Sequence, residues 1–577
     1  MTTVKVNYLQ KAFDAFNSGN SVRALSLVRK LNKQSSMHTF QSLEFEGAIS
    51  YHLGKYQKAC NAYVRALKLS QNTFQKTTAY ERLGKSYRAR LMDGEAATCF
   101  EKSLAVDASL DNAETIYCLA QLYCKMARLD DAVAAANQLV ELENYFVKAH
   151  LLLVKCADLK KETVAAKESI DALKGYYLSR EQFSESDGVD LSVTLSYLIH
   201  AKMFADALQV IRKAELLLGV RPGLDAQKAL INVYTKTDEY PLILVPESLL
   251  SNPDLHVNIK LDLYAARAKL FDEQGFYDEA WSDYTNLGAL KKRMLEVGVA
   301  DVVKKYQQFN VFQLPVNENS QCVYQPVFMI GFPRSGTTLL DTILDTQENI
   351  VTVSEGESLG QVEAAIVNDL KLRYPNDLEK ISPGDLSHLR SVYSLYVASV
   401  VGKLNAGTIL IDKMPLNMIH IPLILSLFPE AKFIFSLRHP LDVCLSNFQQ
   451  HFVNNREMNH LLTIEQCFQR YKQVFDLFST YREHFDLNMH IVKYEELISD
   501  YDNVINAVFD FLGVTPTESY EGFYEHAKSL RILTPSFDQV RKPIYQSSDG
   551  KWKHYENYLK PYMPIVQSYV EQFGYSV

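Results

Sequence analysis

The sequence predicts two structural classes in one chain: an α-helical solenoid of repeats, followed by an α/β domain with a parallel sheet. From the first residues to about residue 300, small residues recur at a near-constant spacing, which is typical of stacked helical hairpins. From Val327 onward, short apolar runs alternate with helical stretches, which is typical of a doubly wound sheet. A chain of 577 residues is long enough to give each part its own core.

Four alanines define the repeat. Ala24, Ala59, Ala96 and Ala132 follow one another at intervals of 35, 37 and 36 residues. This spacing is close to the period of roughly 34 residues in tetratricopeptide repeats (TPR), each of which is a pair of helices. The sequence therefore predicts a TPR solenoid, with an irregular helical bundle as the alternative.

A small residue stands twelve positions before three of these alanines: Gly47, Gly84 and Ala120. We expect each to lie where the two helices of a hairpin come into close contact. The pattern weakens after about residue 145 and is clear again between Tyr264 and Tyr284, which gives roughly seven or eight hairpins. A solenoid of this length offers a concave face for a peptide or protein partner.

Domain boundaries follow from these patterns. We predict the solenoid over residues 1–300, a connection over residues 301–325 and the α/β domain over residues 326–577. The connection contains Pro315, Asn317 and Asn319, residue types that favour loops. Five apolar runs of the α/β domain are predicted to be strands: residues 327–330, 350–353, 408–411, 432–437 and 490–493.

The composition disfavours several classes of partner. A net charge of −8 argues against a nucleic-acid partner. No stretch approaches the roughly 20 apolar residues that span a bilayer, and the first residues lack a signal core, so we expect a cytoplasmic protein without membrane association. The eight cysteines lack paired spacing, which suits buried thiols and gives no indication of a metal site.

The turn after the first predicted strand has the features of a phosphate-binding loop. The residues that would open the following helix, and offer it free amides for an anion, are Ser335, Gly336, Thr337 and Thr338. The spacing from Gly331 to Gly336 is that of a Walker A loop, but Thr337 stands where the lysine should be. Because a nucleoside triphosphatase needs that lysine, ATP hydrolysis is disfavoured, and Arg334 is the cation of the loop. A glycine-rich turn without a ligand is the alternative.

A second anion site is predicted after the strand at residues 432–437. Arg438 follows this strand, a turn with a proline comes next, and Ser446 lies eight residues further on, where we expect a helix to start. The guanidinium and the hydroxyl would hold one phosphate from two sides. Asp442, between them, is expected to cap or orient rather than to bind an anion.

Both motifs resemble those of a known family. Residues 332–338, Phe-Pro-Arg-Ser-Gly-Thr-Thr, are similar to the 5′-phosphosulfate loop of sulfotransferases that use 3′-phosphoadenosine 5′-phosphosulfate (PAPS), in the form seen in tyrosylprotein sulfotransferases. Residues 438–446 resemble the 3′-phosphate motif of that family, Arg-x-Pro-x-Asp-x-x-x-Ser. The resemblance implies a P-loop-like sulfotransferase domain, PAPS as the donor, adenosine 3′,5′-bisphosphate as the product, and no metal.

The resemblance also implies catalytic residues. Lys413 takes the place of the lysine in the family's Asn-Lys-Asp-Pro segment, where a cation stabilises the leaving group. Glu355 takes the place of the glutamate thought to remove the acceptor proton. Glu357 is a rival, because the family's Gly-Glu-Glu reads Ser-Glu-Gly-Glu here. His420 and His451 are less favourable as bases.

Three further residues are assigned by resemblance in the last part of the chain. Tyr494 begins a Tyr-Glu-Glu-Leu segment and is implied to lie on the adenosine side of the donor. Lys551, in a Lys-Trp loop, is implied to reach the 3′-phosphate. Ser536 is implied to reach the phosphosulfate or an acceptor group, and Trp552 is either a site or a packing residue.

The sequence thus predicts a PAPS-dependent sulfotransferase whose acceptor is a hydroxyl, foremost a protein or peptide tyrosine held by the solenoid. In this interpretation Arg334 and the loop amides hold the phosphosulfate, Glu355 takes the acceptor proton, and Lys413 assists departure of the product. Three alternatives are a carbohydrate or small-molecule sulfotransferase, a TPR scaffold with an inactive transferase domain, and a phosphotransferase that uses ATP. A homodimer is compatible with the sequence, which does not fix the oligomeric state.

Overall fold

The computed structural model contains two compact units, Met1–Ile170 and Asp171–Val577. The structure describes residues 2–33, 39–90, 92–109, 112–126, 128–160, 162–183, 187–219, 221–235, 239–294, 303, 306, 314, 325–405, 407–452, 457–516, 519–529, 540–541, 543–544 and 549–576. The predicted domain boundaries near residues 300 and 325 fall in a stretch of which little is described, so they stay predictions.

The first unit is built of helices that pack against their neighbours in sequence. They are α1 (Thr2–Asn17), α2 (Ser21–Lys33), α3 (Phe40–His52), α4 (Tyr56–Lys68), α5 (Thr73–Ala89), α6 (Asp93–Val106), α7 (Ala113–Lys125), α8 (Leu129–Asn137) and α9 (Glu143–Leu159), followed by α10 (Thr163–Ser179), which crosses into the second unit. The all-helical repeat architecture predicted from the sequence is confirmed.

The small residues of the repeat have a definite packing role. The four alanines that define the period are fully buried. Gly47 and Gly84 do lie at the contact between two helices, but what each accommodates is an aromatic ring of the second helix. A Cβ on Gly84 would lie 2.8 Å from Cε1 of Phe100, and a Cβ on Gly47 would lie 2.5 Å from Cε1 of Tyr63. The repeat therefore pairs a glycine on one helix with a large ring on the next.

This pairing makes Gly84→Ala a destabilising change, although alanine is the better helix former. The added methyl group would overlap the ring of Phe100, and overpacking of this kind costs about 1–3 kcal/mol. Gly94→Ala, in α6 of the same unit, is the matched control, because a Cβ there meets nothing within 4 Å. Urea unfolding followed by circular dichroism should show a lower midpoint for Gly84→Ala alone. Equal midpoints for the two variants would contradict the packing.

The second unit begins with further helical hairpins. Its helices before the sheet are α11 (Asp187–His200), α12 (Phe204–Leu218), α13 (Pro222–Thr235), α14 (Pro241–Leu244), α15 (Glu247–Leu250), α16 (Val257–Glu273) and α17 (Tyr277–Met294). In the last hairpin, Arg267 of α16 makes two hydrogen bonds of 2.7 Å to the carboxylate of Asp283 on α17, and both side chains are buried. A buried guanidinium needs such a bidentate partner, so this pair fixes the register of the two helices.

A five-stranded parallel sheet follows in the same unit. Its strands are β1 (Val327–Gly331), β2 (Ile350–Ser354), β3 (Ile409–Lys413), β4 (Lys432–Leu437) and β5 (Met489–Lys493), in the order β2-β3-β1-β4-β5. All four pairings are parallel. Each predicted strand is present within two residues of its predicted bounds, so the predicted α/β class with a parallel sheet is confirmed. The apolar side chains of β1 are buried because helices cover both faces.

The helices of this α/β part are α18 (Thr337–Leu344), α19 (Ser358–Asn368), α20 (Pro383–Val401), α21 (Ile421–Leu427), α22 (Pro440–Phe448), α23 (Ile464–His484), α24 (Tyr494–Ser499), α25 (Tyr501–Leu512), α26 (Phe523–Ser529), α27 (Glu556–Leu559) and α28 (Met563–Gln572). Short 3₁₀ helices lie at Leu378–Lys380, Pro415–His420, Met458–His460 and Lys551–Tyr555. Among the described residues, no helix combines the length and the apolar character needed to cross a bilayer.

Candidate active site

The strand order creates a crevice between β1 and β4. The connection that leaves β1 runs to β2 at one side of the sheet, whereas the connection that leaves β4 runs to β5 at the other side. Ligands bind parallel sheets at such a reversal, outside the carboxyl ends of the strands. The predicted site residues from Arg334 to Tyr494 follow or end these strands, apart from Ser446, so the fold brings their elements to one edge.

The loop after β1 has the form of a cradle. Gly331 has φ 157° and Gly336 has φ 96°, conformations that favour glycine. A Cβ on Gly331 would lie 2.5 Å from the carbonyl oxygen of Ser436, and a Cβ on Gly336 would lie 2.6 Å from Cδ2 of Tyr494. Both glycines are therefore required by the close approach of other segments as well as by the backbone itself.

The first turn of α18 offers hydrogen-bond donors to an anion. The helix begins at Thr337 with Gly336 as its N-cap, so the amides of Thr337 and Thr338 lack carbonyl partners within the helix. The Ser335 amide instead donates to the carbonyl of Phe332 at 3.2 Å, which corrects the prediction that it is free. The Ser335 hydroxyl is buried and has no hydrogen-bond partner among the described residues. An orphaned hydroxyl in a glycine cradle at a helix N-terminus fits a bound anion.

The two predicted phosphate motifs are in direct contact. Nε of Arg334 donates to Oγ of Ser446 at 3.1 Å, and Nη1 of Arg438 donates to the carbonyl of Arg334 at 3.4 Å. The guanidinium of Arg438 lies 4.6 Å from the centre of the Tyr494 ring. Ser446 lies in the last turn of α22 and not at a helix start, as predicted, because α22 already begins at Pro440. Arg334 has φ 72°, a strained conformation for a residue other than glycine.

Lys413 is a fully buried cation at the end of β3. Its Nζ lies 3.1 Å from Oε1 of Glu355 and 3.7 Å from Oδ2 of Asp341. Burial acts to lower the pKa of Lys413, but the two carboxylates outweigh burial and raise that pKa, so the side chain carries a positive charge at neutral pH. A fixed charge in a dry site interacts strongly with charge that develops beside it.

The neighbouring residue, Asp412, is also fully buried. Its carboxyl accepts hydrogen bonds from the hydroxyls of Ser358 and Tyr393 and from Nδ2 of Asn417. Burial raises the pKa of Asp412 to about 6, although these three hydrogen bonds act in the opposite direction. Asp412 therefore ties β3 to the surrounding helices beneath the site.

Of the two candidate bases, Glu355 is the one that the structure brings to Lys413. Ser354 pairs with Lys413 across the sheet, so Glu355 leaves β2 beside the lysine, and its amide donates to the Lys413 carbonyl at 2.6 Å. Glu355 has φ 51°, a second strained residue at this edge. Glu357 lies two residues further on, as the N-cap of α19, where its Oε2 lies only 2.5 Å from the position that a Cβ on Gly360 would occupy. The Glu357 carboxylate thus faces its own helix.

The two histidines considered as bases have other partners. Nδ1 of His420 lies 2.7 Å from the hydroxyl of Tyr374, with which its ring is stacked. Nδ1 of His451 lies 3.3 Å from Oδ1 of Asp262 on α16. Neither of these contacts involves Lys413 or Glu355.

Asp442 holds a distant segment to the second motif. Its two carboxylate oxygens accept hydrogen bonds from the amides of Gly550 and Trp552, each at 2.9 Å. This residue therefore orients the chain, as predicted, and it does so by binding the Lys-Trp loop. The Nζ of Lys551 makes an ion pair with Asp272, so a phosphate would have to share or displace this partner. Ser536 lies outside the described residues, and its role stays a prediction.

Sequence reasoning missed three carboxylates beside the site. The sequence contains weak indications that Asp341 and Asp412 lie near the site. Asp341 lies one helical turn after Thr337, and Asp412 stands next to the predicted lysine. For Asp272 it contains none, because this residue belongs to a helical repeat 279 residues before Lys551.

Comparison with known proteins identifies the α/β part. Residues 326–518 match the profile of the sulfotransferase family, and this span contains all five strands. These residues form a sulfotransferase-family domain. The predicted combination of helical repeats with a sulfotransferase domain is thereby confirmed. Ser536 and Lys551 lie beyond the matched span.

Three known proteins are similar to parts of this chain. An uncharacterized protein of Aquifex aeolicus is 25% identical over 454 residues, which is 74% of this chain and 54% of that protein. The protein-tyrosine sulfotransferase of Drosophila melanogaster is 23% identical over 244 residues, which is 39% of this chain and 46% of that protein. The chain thus spans about half the length of these relatives. A solved tetratricopeptide repeat protein from Parabacteroides merdae is 16% identical, with a TM-score of 0.33, over 50% of this chain and 93% of that chain.

The buried carboxyl of the sulfotransferase domain gives a pH test. Because the pKa of Asp412 in the folded protein, about 6, exceeds its ordinary value of 3.8, only the folded state holds this proton between those pH values. The free energy of unfolding should therefore fall by about 2 kcal/mol, relative to that of Asp412→Asn, between about pH 4.5 and about pH 7. Urea unfolding followed by tryptophan fluorescence measures this, because both tryptophans, Trp281 and Trp552, lie in the second unit. A difference between the two proteins that does not change with pH would contradict the burial of a titrating carboxyl.

Proposed function

We propose that the sulfotransferase domain transfers a sulfuryl group from PAPS to a hydroxyl acceptor, and that the acceptor is a tyrosine of a peptide or protein. One arrangement supports this proposal above all. The contact between Arg334 and Ser446 closes the loop that contains the orphaned Ser335 hydroxyl, at the same edge of the sheet as the Glu355–Lys413 pair. Groups that can bind an anion thus lie at the same edge of the sheet as a carboxylate–ammonium pair.

PAPS is an anionic donor with two negatively charged ends, the phosphosulfate and the 3′-phosphate, and this edge of the sheet offers hydrogen-bond donors and cations for both. PAPS, when bound, supplies an activated sulfuryl group. Arg334, the Ser335 hydroxyl and the first amides of α18 would hold the phosphosulfate. Arg438 and Ser446 would hold the 3′-phosphate, because they approach from the next strand of the crevice. The Tyr494 ring, which packs against Gly336 and Arg438, would contact the adenosine.

Two residues would act on the reacting groups. The Glu355 carboxylate is partly exposed, with 39% of its side chain accessible, so an acceptor hydroxyl can reach it and give up a proton to it. The ammonium of Lys413 has no exposed surface and stays charged, so it stabilises negative charge on the leaving group without reorganisation. The missing Walker lysine disfavours the transfer of a phosphoryl group from ATP instead.

Two observations favour a tyrosine acceptor. The Drosophila relative is a protein-tyrosine sulfotransferase. The chain also carries helical repeats, an architecture whose extended surfaces suit peptides and proteins. We propose that the repeats hold the acceptor protein.

The acceptor is tested with radiolabelled PAPS. We expect label transfer from [³⁵S]PAPS to a tyrosine-containing peptide and none to the same peptide with phenylalanine in place of tyrosine. An oligosaccharide acceptor is the comparison. Transfer to the sugar alone would contradict the tyrosine proposal and leave the donor assignment intact, whereas transfer to neither, together with no binding of PAPS, would contradict the sulfotransferase proposal.

The identity of the base is tested by two conservative variants. Glu355→Gln should lower kcat by about 10²–10⁴-fold, because it removes the proton acceptor but retains the shape of the side chain. Glu357→Gln is the matched control and should lower kcat by less than about threefold, since its carboxylate faces its own helix. Unchanged binding of adenosine 3′,5′-bisphosphate would show that both variants are folded. A larger loss in Glu357→Gln than in Glu355→Gln would overturn the assignment.

A further inference from the structure

The last repeat hairpin, α16 with α17, packs on the segment that follows the Lys-Trp loop. Trp281 of α17 stacks on Tyr558 at a centroid distance of 4.5 Å, and Tyr277 stacks on His554 at 4.6 Å. The Tyr558 hydroxyl also donates to Asp278 at 2.7 Å. Stacked rings bury large apolar areas in a defined geometry, so this hairpin and the segment hold each other in place.

The backbone of Lys551 is fixed beside the second phosphate motif. The amides on either side of it, those of Gly550 and Trp552, both donate to Asp442 in the first turn of α22. The Trp552 ring stacks on His439, the residue after Arg438, at a centroid distance of 5.4 Å and an interplanar angle of 17°. These contacts fix the backbone of Lys551 near the turn that presents Arg438, and only its side chain keeps freedom to move.

The side chain of Lys551 is held by the repeat hairpin. Its Nζ donates to Oδ2 of Asp272 on α16, and the hydroxyl of Tyr555 donates to Oδ1 of the same carboxylate at 2.7 Å. The Asp272 side chain is only 7% exposed, whereas that of Lys551 is 32% exposed. The carboxylate is therefore the fixed member of the pair, and the lysine is the member that can turn toward another anion.

We propose that Asp272 competes with the 3′-phosphate of the donor for Lys551, and so sets the affinity of the site for 3′-phosphorylated nucleotides. This inference rests on the proposed function, in which Arg438 and Ser446 receive that phosphate, and on the role in 3′-phosphate binding that the family resemblance implies for Lys551. One ammonium cannot give its full charge to two anions, and the Asp272 carboxylate also repels a phosphate that approaches the lysine. When Lys551 turns away, Tyr555 still donates to Asp272, so the carboxylate keeps a partner.

The test is calorimetric binding of adenosine 3′,5′-bisphosphate and of ADP to the full chain and to Asp272→Asn. Removal of the carboxylate charge should lower the Kd for adenosine 3′,5′-bisphosphate by about three- to thirtyfold at low salt, and by less as the ionic strength rises. The Kd for ADP, which has no 3′-phosphate, should change by less than about twofold. In a Lys551→Ala background, Asp272→Asn should have no effect, because the contested group is gone.

Asp278→Asn is the matched control. Asp278 lies on the same hairpin and binds the same C-terminal segment through Tyr558, but has no contact with Lys551 among those the structure shows. An unchanged or raised Kd of Asp272→Asn for adenosine 3′,5′-bisphosphate would overturn the competition, as would an equal gain in Asp278→Asn. If the natural protein bound no adenosine 3′,5′-bisphosphate, the proposed function would fail as well. Selective binding by the natural protein without a gain in Asp272→Asn would refute this inference alone.

Discussion

Parallel pairing of the five strands is the constraint on which the site depends. Because the strands run in one direction, their carboxyl ends meet at one edge, and each residue that follows a strand projects from that edge. The register aligns Gly331 of β1 with Ser436 of β4, so the loops that follow these two strands start side by side. It also aligns Ser354 of β2 with Lys413 of β3, which brings the loops after those strands together. Arg334, Glu355 and Arg438 each follow a strand directly or closely, and their proximity is a consequence of the sheet.

The alternation of side chains along β3 separates two buried charges that adjoin in sequence. Asp412 and Lys413 point to opposite faces, so the carboxyl binds Ser358, Tyr393 and Asn417, whereas the ammonium binds Glu355 and Asp341. Each charge thereby has its own partners, which a buried charge requires. One strand end thus supplies both an anchor for the helices and a permanently charged group at the site. The strained backbone of Glu355 shows that this partner of Lys413 holds its position against a local cost.

The sequence predicted those features that depend on short stretches of neighbouring residues. Apolar runs marked the five strands, and paired glycines marked the loop, because few other residues tolerate its backbone. The prediction that Ser446 lies at the start of a helix was wrong. Pro440 indicated the true start, because proline favours the first position of a helix. Contacts between residues that are far apart in the sequence could not be predicted from it. The bond of Asp442 to the amides of Gly550 and Trp552, and the pairing of Asp272 with Lys551, depend on the packing of distant elements. Such packing follows from the fold as a whole and not from any local pattern.

Selective recognition of a 3′-phosphate is the central claim, because it separates a PAPS site from other nucleotide sites. The most direct measurement is calorimetric titration of the natural protein and of Arg438→Ala with adenosine 3′,5′-bisphosphate and with ADP. Arg482→Ala, which removes an exposed arginine from the end of α23, is the control. The account predicts binding of adenosine 3′,5′-bisphosphate at least about tenfold tighter than that of ADP, a preference that Arg438→Ala removes and Arg482→Ala keeps. Equal binding of the two nucleotides, or a preference that survives in Arg438→Ala, would contradict it.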